Sequence, residues 1–268
     1  MNSHLPPKIS IITIVKNGMP YIIETIKSVQ NQNYKNIEYI VIDGESTDGT
    51  VDCIKSNQSK IDYFNSEKDN GIAYAFNKGL KVASGDYVMF LNADDKLASE
   101  HAIELLVNVI LENNKPTFVY GDCYVLCRET GSLKYRASIN FDLKNIKKGL
   151  MPPHPSTLVN INYFQKYGNF DSNFKIAMDF EWFIRGIRDS KVIHSSELIT
   201  YVRDGGISTK AQMKVITEIS KALVKNGFVD SVMQAYLIKL YFITRYMLRL
   251  LLVRLGIYEV IRKGFVLK

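Results

Sequence analysis

Short apolar runs alternate with amphipathic stretches along the first hundred residues of the chain. Residues 9–15, 37–43, 61–65 and 87–92 are mainly apolar and often β-branched, which predicts strands buried on both faces. Between them, residues 21–30, 51–56 and 73–83 carry apolar side chains at helical spacing. This alternation predicts an α/β fold with a doubly wound, mainly parallel sheet, in which ligands bind beyond the carboxyl ends of the strands.

The pattern changes after a further predicted helix at residues 102–111. Residues 118–127 and 132–137 flank Glu129-Thr130-Gly131 and predict a hairpin. Residues 151–155 contain three prolines and predict a rigid extended loop. Helical spacing returns at residues 179–188 and 211–225. We therefore expect one large domain over residues 1–210 and a helical extension over residues 211–268.

Composition narrows the class of protein. The chain has 268 residues, of which 46% are apolar and 23% charged, as in a globular protein. Its three cysteines form no CxxC pair, which suits a reducing compartment and argues against a zinc ribbon. The first apolar run is too short for a signal peptide, and no stretch reaches the roughly 18 apolar residues of a membrane span. A cytoplasmic protein is expected.

The net charge is concentrated at one end of the chain. Residues 230–268 carry seven Lys or Arg and two acidic residues, so +5 of the total +7 lies in this tail. The main body therefore gives little support for nucleic-acid binding, and no nucleic-acid partner is expected. A partner surface is to be sought in the tail.

Polar groups follow two of the predicted strands directly. Asp43 opens the segment DGESTDGT, where it either accepts hydrogen bonds from a nucleobase or ribose, or forms a turn and helix cap. Asp94 and Asp95 follow the buried run at residues 87–91. Because two adjacent carboxylates repel, a divalent cation shared with substrate phosphates would stabilise the pair. The alternative is that one of them caps the next helix.

Five segments together resemble family 2 glycosyltransferases, which have the GT-A fold. They are TIVKN at residues 13–17, DGESTDGT, SEKDNGIAYAFNKG, ASGDYVMFLNADD and MDFEWFIR. The match covers about residues 8–210, and the motifs come in the order and approximate spacing of that family. Residues 1–210 would then be the catalytic domain, with a nucleotide-binding half at about 1–115 and an acceptor half at about 116–210.

The resemblance implies a role for each matching position of the donor site. Thr13, Val15 and Asn17 would border the nucleobase, and Asp43 would bind the uracil or ribose. Near the nucleotide and donor sugar would lie Lys68, Asn77 and Lys78. The metal motif of the family falls on Asn92, Asp94 and Asp95. Many relatives have Asp where this chain has Asn92, which leaves Asp94 and Asp95 to hold Mn²⁺ or Mg²⁺. We favour Asp95 as the metal ligand, with Asp94 nearer the ribose or sugar. The reverse assignment is the alternative.

The resemblance also implies a catalytic base at the start of a later helix. Asp179 takes this position, Met178 replaces the acid that usually precedes it, and Glu181 is the second candidate. The alternative is that Asp179 is an acid favoured by the helix dipole. His154 contacts the acceptor or faces the metal, or is a surface histidine in a proline loop. Arg203 begins a loop, residues 203–208, that either closes over the diphosphate or is an ordinary loop.

The implied activity is inverting transfer of a sugar from a nucleotide diphosphate, by family default UDP, to a saccharide acceptor. Many similar bacterial enzymes extend undecaprenyl-diphosphate-linked intermediates of O-antigen or capsule. A sugar-phosphate nucleotidyltransferase would need a glycine-rich loop with a basic residue after the first strand, and a nicotinamide oxidoreductase would need GxGxxG there; both are absent. A non-catalytic membrane-docking protein is the remaining alternative.

The tail has an apolar stripe at helical spacing. Its members are Leu237, Leu240, Tyr241, Thr244, Met247, Leu248, Leu251, Leu252 and Leu255. Lys239, Arg245, Arg249 and Arg254 lie off the stripe. Such a helix either lies on a membrane surface or packs on the domain with its charges in water. The first reading gives a peripheral protein on the inner face of the cytoplasmic membrane, attached through residues 237–263.

Overall fold

The strands form one sheet. The computed structural model describes residues 6–137, 140–229 and 232–255. Its strands are β1 Ile9–Val15, β2 Ile37–Asp43, β3 Tyr63–Ser66, β4 Tyr87–Phe90, β5 Lys96–Leu97, β6 Phe118–Leu126, β7 Leu133–Ala137, β8 Thr157–Asn160 and β9 Val192–Arg203. The strand order is β3-β2-β1-β4-β8-β6-β9-β5, with β7 beside β6.

The first four strands in this order are parallel, as predicted. β1 pairs in parallel with β2 and β4, and β2 with β3. β8 then runs antiparallel to both β4 and β6, so β6 and its parallel neighbour β9 point the same way as β4. The carboxyl ends of β1, β2, β4, β6 and β9 therefore open at one edge of the sheet, which confirms a mixed α/β fold with a mostly parallel sheet.

Helices cover both faces of this sheet. They are α1 Ile22–Gln30, α2 Thr50–Ser56, α3 Ile72–Val82, α4 Ala102–Glu112, α5 Ile161–Tyr167, α6 Met178–Arg185, α7 Ile207–Lys210, α8 Gln212–Lys225 and α9 Val232–Arg254. Successive side chains of a strand point to opposite faces. Ile11 and Ile12 are both fully buried but belong to separate apolar clusters. The uninterrupted apolar run of β1 is thus explained by burial on two sides.

The two apolar clusters enclose different helices. One cluster joins α1 and α4 to the sheet through residues such as Ile26 and Leu106. The other joins α3, α5, α6 and α8, and includes Phe76, Trp182 and Leu223. At about 1.5–3 kcal/mol for each large apolar side chain buried, these clusters supply the main stabilisation of the fold. Helix α8 therefore packs into the same core as the sheet.

Helix α9 packs on α8 with one side only. Gly149 has a positive φ of 70°, and a Cβ there would lie 3.2 Å from Phe242 of α9 and 3.3 Å from Ile219 of α8. The predicted stripe points elsewhere: seven of its side chains are 45% to 59% exposed, namely Leu237, Leu240, Tyr241, Met247, Leu248, Leu251 and Leu255. In the described part of the chain no helix is both long and apolar enough to cross a bilayer. Residues 256–263 of the proposed membrane segment lie outside the described residues.

Candidate active site

A cavity of about 780 Å³ opens at the carboxyl edge of the sheet. Its size is in the range of small-molecule and cofactor sites. Eight of the predicted site residues line it: Val15, Asn17, Asn92, Asp94, Asp95, His154, Asp179 and Arg203. Residues separated by up to 188 positions along the chain are thus brought to one place by the strand order.

The loops after β1 and β2 are joined by hydrogen bonds. The Asn17 N–H donates to Ser46 Oγ (2.7 Å), and the Thr47 N–H donates to Asn17 Oδ1 (2.9 Å). Asn17 has a φ of 53°, a left-handed conformation that asparagine tolerates better than most residues. The loop after β1 lines the cavity, and Asn17 joins it to the loop after β2 behind it.

Asp43 holds the loop after β2 in place through hydrogen bonds to its side chain. Its side chain is fully buried and accepts hydrogen bonds from the Ser46 N–H (3.0 Å), Ser46 Oγ (2.5 Å) and Ser66 Oγ (2.7 Å). Thr13 is also fully buried, and its hydroxyl accepts a hydrogen bond from Tyr39 (3.2 Å). Neither residue lines the cavity. Their direct contact with a nucleobase therefore stays a prediction.

The two carboxyl groups after β4 have different environments. Asp95 is 1% exposed and accepts hydrogen bonds from Asn92 Nδ2 (2.9 Å) and the Arg203 N–H (3.2 Å). Burial, followed by repulsion from Asp94, raises the pKa of Asp95 to about 8. The side chain of Asp94 is 30% exposed and pairs with Arg128. Asp94 thus presents its carboxylate to the cavity, while the two oxygens of Asp95 are engaged from inside.

A divalent cation fits this pair by donor chemistry. Carboxylate oxygens are the ligands that Mg²⁺ and Mn²⁺ favour. The described ranges contain no cluster of three or more His, Cys, Asp or Glu that could hold a metal ion. A cation here would therefore need oxygen ligands from a substrate or from water in addition to Asp94 and Asp95. This geometry favours Asp94 as the ligand, the reverse of the assignment preferred from the sequence.

Two arginines flank Asp94 and stack on one tyrosine. The Arg203 guanidinium donates to the Asp94 carbonyl oxygen (2.6 Å) and to Glu24 Oε1 (2.8 Å), and it lies 4.5 Å from the centroid of the Tyr21 ring. The Arg128 guanidinium lies 5.1 Å from the same ring centroid. Arg203 is 8% exposed. The residue that the sequence assigned to a mobile diphosphate-binding loop is thus fixed between α1 and β4.

Asp179 enters the cavity from the first turn of α6. Its Oδ1 accepts a hydrogen bond from the Phe180 N–H (2.7 Å). The three residues before α6 donate their N–H groups to the buried carboxylate of Glu218 on α8, at 2.8–3.0 Å. These bonds fix the approach to the helix, and with it the position of Asp179. The carboxylate is available to accept a proton from a group bound in the cavity.

His154 faces Asp179 from an aromatic surround. Its ring stacks on Phe90 with centroids 5.0 Å apart and meets Phe76 and Phe170 edge-on. Burial lowers the pKa of His154, although the Asp179 carboxylate opposes the effect. Its Nε2 is buried and has no hydrogen-bond partner among the described residues. His154 therefore presents a neutral imidazole with an unsatisfied nitrogen, not an exposed surface group.

Four further predicted residues, besides Thr13 and Asp43, do not line the cavity. The Asn77 amide is bonded to the backbone N and O of Phe170 (3.1 and 2.9 Å), so it ties α3 to a loop. Lys78 pairs with Glu67 and Lys68 is exposed on the same outer surface. Glu181 has a fully buried side chain paired with Arg185 and Lys225, at 2.6 and 2.9 Å. The expectation that Glu181 could serve as the base is corrected, because its carboxylate points into the α6–α8 interface.

Sequence reasoning missed Tyr21, Arg128 and Asp204, which all line the cavity. Arg128 follows the end of β6 by two residues. A charged residue just beyond a predicted strand, at the edge where Asp94 was already placed, was the signal that could have identified it. Tyr21 and Asp204 carry no comparable signal, since each is a common residue type in a loop.

The chain is similar to glycosyltransferases of known sequence. Residues 10–185 match the family described as glycosyl transferase family 2. An uncharacterized glycosyltransferase of Mycobacterium tuberculosis is 32% identical over 181 residues, which cover 67% of this chain and 68% of the relative. One from Rickettsia typhi is 32% identical over 201 residues, covering 72% of this chain and 63% of the relative.

Solved structures share the fold. Staphylococcus aureus TarS in complex with UDP-GlcNAc superposes with a TM-score of 0.67 and 17% identity, over 89% of this chain and 72% of that one. The mannosyltransferase PcManGT of Pyrobaculum calidifontis, in complex with GDP-Man and Mn²⁺, superposes with a TM-score of 0.61 and 17% identity. The match covers 85% of this chain and 66% of that one.

These similarities decide between the readings that the motifs left open. The matched region contains the loops after β1 and β2, the acidic pair after β4 and Asp179. The family match and the similar structures favour a sugar-transferring enzyme over a nucleotidyltransferase or a non-catalytic docking protein. The chain belongs to glycosyl transferase family 2, and it is a glycosyltransferase with the GT-A fold.

Proposed function

We propose that this glycosyltransferase moves a hexose from a UDP-linked donor to a saccharide acceptor with inversion at the anomeric carbon. The observation that carries the proposal is that Asp179 and the Asp94–Asp95 pair face one cavity. A base and an acidic pair on a shared cavity suit a single displacement, in which an acceptor hydroxyl attacks the anomeric carbon as the nucleotide diphosphate leaves. Uridine is the family default, and TarS was solved with UDP-GlcNAc.

In this mechanism Asp179 removes the proton of the attacking hydroxyl. A positioned general base contributes about 10²- to 10⁴-fold to rate. Asp94 and Asp95 would hold Mn²⁺ or Mg²⁺, which supplies charge stabilisation for the leaving diphosphate. Asn17 and the joined β1 and β2 loops hold the nucleoside at the far wall, and the loop after Arg203 limits the access of water. Attack on the face opposite the leaving group gives inversion, so an α-linked donor yields a β-linkage.

We further propose a lipid-linked acceptor, such as an undecaprenyl-diphosphate intermediate of O-antigen or another surface polysaccharide. Helix α9 supports this choice because it exposes an apolar stripe and carries four basic and no acidic residues. Apolar burial and attraction to anionic headgroups together bind such helices to membrane surfaces. The protein would then be peripheral, on the inner face of the cytoplasmic membrane.

The test is turnover of UDP-hexoses with a GlcNAc-diphospho-lipid acceptor, in Mn²⁺ and in EDTA. Asp179→Asn removes the base while keeping the side-chain shape, so kcat is expected to fall about 10²- to 10⁴-fold with UDP affinity unchanged. EDTA should abolish transfer by the wild-type chain. Asp189→Asn is the matched control, since Asp189 bonds Tyr167 outside the cavity and should leave kcat intact. Undiminished kcat in Asp179→Asn would overturn the assignment.

A further inference from the structure

Arg128 places a cation on the carboxylate that is best positioned to bind a metal ion. Its Nη2 donates to Asp94 Oδ2, and both side chains are about 30% exposed to the cavity. A divalent cation on the same carboxylate oxygen would repel the guanidinium at such short range. A cation that binds Asp94 through Oδ2 must therefore displace the guanidinium.

The two arginines of the site differ in what holds them. The two Nη atoms of Arg203 donate to the Asp94 carbonyl oxygen and to Glu24, and its backbone N–H donates to Asp95. The Arg203 guanidinium therefore does not pair with the Asp94 carboxylate that a metal ion would bind. Arg203 is thus a fixed element of the wall.

Arg128 is bound to Asp204 through its backbone N–H and Nε, and to Asp94 through the outer end of its guanidinium. Its backbone N–H and its Nε donate to Asp204 Oδ1 and to the Asp204 carbonyl oxygen, each at 2.9 Å. The Tyr21 ring supports the face of the guanidinium. The outer end, Nη2, pairs with Asp94. Because the guanidinium is planar, a side-chain rotation that redirects Nη2 also turns the Nε–H group, whereas the backbone N–H bond to Asp204 Oδ1 can be kept.

We propose that Arg128 is a diphosphate-binding residue that exchanges partners during the cycle. In the empty site its guanidinium neutralises Asp94. When the metal–nucleotide complex binds, Asp94 ligates the cation and Arg128 pairs with a phosphate oxygen of the donor. A guanidinium suits both partners, because carboxylate and phosphate offer it the same bidentate geometry. This inference rests on the proposed function, and it moves the diphosphate contact from Arg203 to Arg128.

The exchange makes two predictions of opposite sign for Arg128→Ala. Without nucleotide, Mn²⁺ should bind more tightly, by about two- to fivefold, because a partly exposed ion pair no longer competes for Asp94. With Mn²⁺ present, UDP should bind about tenfold or more weakly, because a charge-assisted hydrogen bond is lost. Arg128→Lys keeps the positive charge but loses the bidentate donor geometry of the guanidinium. Its UDP affinity should therefore lie between those of wild type and Arg128→Ala.

Isothermal titration with MnCl₂ alone, and with UDP at saturating Mn²⁺, measures both affinities without turnover. Arg136→Ala is the matched control, since it breaks the Arg136–Asp122 pair outside the cavity and should change neither affinity. If both affinities fall together in Arg128→Ala, or neither changes, the exchange is overturned. A wild-type chain that binds no nucleotide would overturn the proposed function itself, which separates the two failures.

Discussion

The surroundings of His154 decide what its imidazole can do. Three phenylalanine rings enclose it, burial lowers its pKa, and Nε2 has no partner among the described residues. A buried polar atom without a hydrogen bond is costly, typically about 1–3 kcal/mol. If the imidazole turns so that Nε2 reaches the cavity it lines, a hydroxyl of a bound sugar would remove that cost. We therefore expect His154 to contribute to sugar binding as a neutral hydrogen-bonding group.

His154→Phe tests this role with a ring that fits the same aromatic surround. Loss of one hydrogen bond of about 1 kcal/mol should raise the KM of the donor or the acceptor sugar roughly fivefold. The affinity for UDP should stay unchanged, because the nucleotide wall lies elsewhere. His101→Phe, at an exposed histidine beside Glu104, is the control. Steady-state kinetics with both substrates varied measures the effect, and unchanged KM values would contradict it.

Single residues also mark how far spacing could predict the site. Asn17, Asp94 and Asp179, which each follow a strand or begin a helix in the family order, line one cavity, while their roles stay predictions. Asn77 and Glu181 were not, because what fixes them is distant in sequence. Asn77 bonds a backbone 93 residues away, and Glu181 bonds an asparagine 45 residues away. No local pattern encodes such partners.

Among the elements, α8 has the most direct effect on the site. Glu218 accepts the N–H groups of Lys175, Ile176 and Ala177, the last three residues before α6. Asp179 is the second residue of that helix. Helix α8 was expected to lie in an extension beyond a catalytic domain ending at residue 210. Its contacts instead hold the segment that precedes Asp179, the proposed base, and we infer that residues 212–225 work as part of the catalytic domain.

Glu218→Gln should separate positioning from simple stability. The glutamine amide can no longer accept all three N–H groups, so the segment before α6 shifts and Asp179 loses its alignment. A misplacement of about 1 Å costs up to roughly 10²-fold in rate. We expect kcat to fall towards that limit with UDP affinity retained, and Glu218→Asp to recover part of it. Glu104→Gln on α4 is the control, and a parallel loss of kcat and UDP affinity would refute a positioning role.

The hydrophobic pattern predicts some strands of the sheet and misses others. β1 and β2 have the predicted bounds, because burial on both faces leaves an unbroken apolar signal. β9 was missed although it has twelve residues. Its pairing with β6 shifts register on either side of Asp122, which breaks the alternation that predicts a strand. Long-range pairing, not local sequence, fixes this element.

At the scale of the whole molecule, the sheet and α9 divide two tasks. The sheet edge gathers the reacting groups, and α9 carries an exposed apolar stripe on the far side of α8. Large exposed apolar patches are uncommon on monomeric proteins, which is the reason for proposing that the stripe binds a partner. The basic residues beside it agree with an anionic lipid surface.

Leu248→Glu with Leu251→Glu tests the membrane contact. Two acidic groups on the stripe should abolish cosedimentation with vesicles of anionic phospholipid, since both apolar burial and charge attraction are lost. Transfer to a water-soluble acceptor should be retained. Leu111→Glu with Leu133→Glu, at exposed leucines away from α9, is the control for added negative charge. Wild-type protein that stays in the supernatant, or a double variant that still pellets, would contradict the proposal.

The shared cavity at the carboxyl edge has a kinetic consequence. Asn17, His154 and Asp179 line the same cavity. In the proposed mechanism the nucleoside lies against Asn17 and the acceptor enters beside Asp179 and His154, so that the acceptor would cover the bound nucleotide. A nucleotide sugar would have to be seated before the acceptor enters, and spent UDP would have to wait until the elongated chain departs. Compulsory-order kinetics, with UDP competing against the donor alone, is the behaviour that this arrangement imposes.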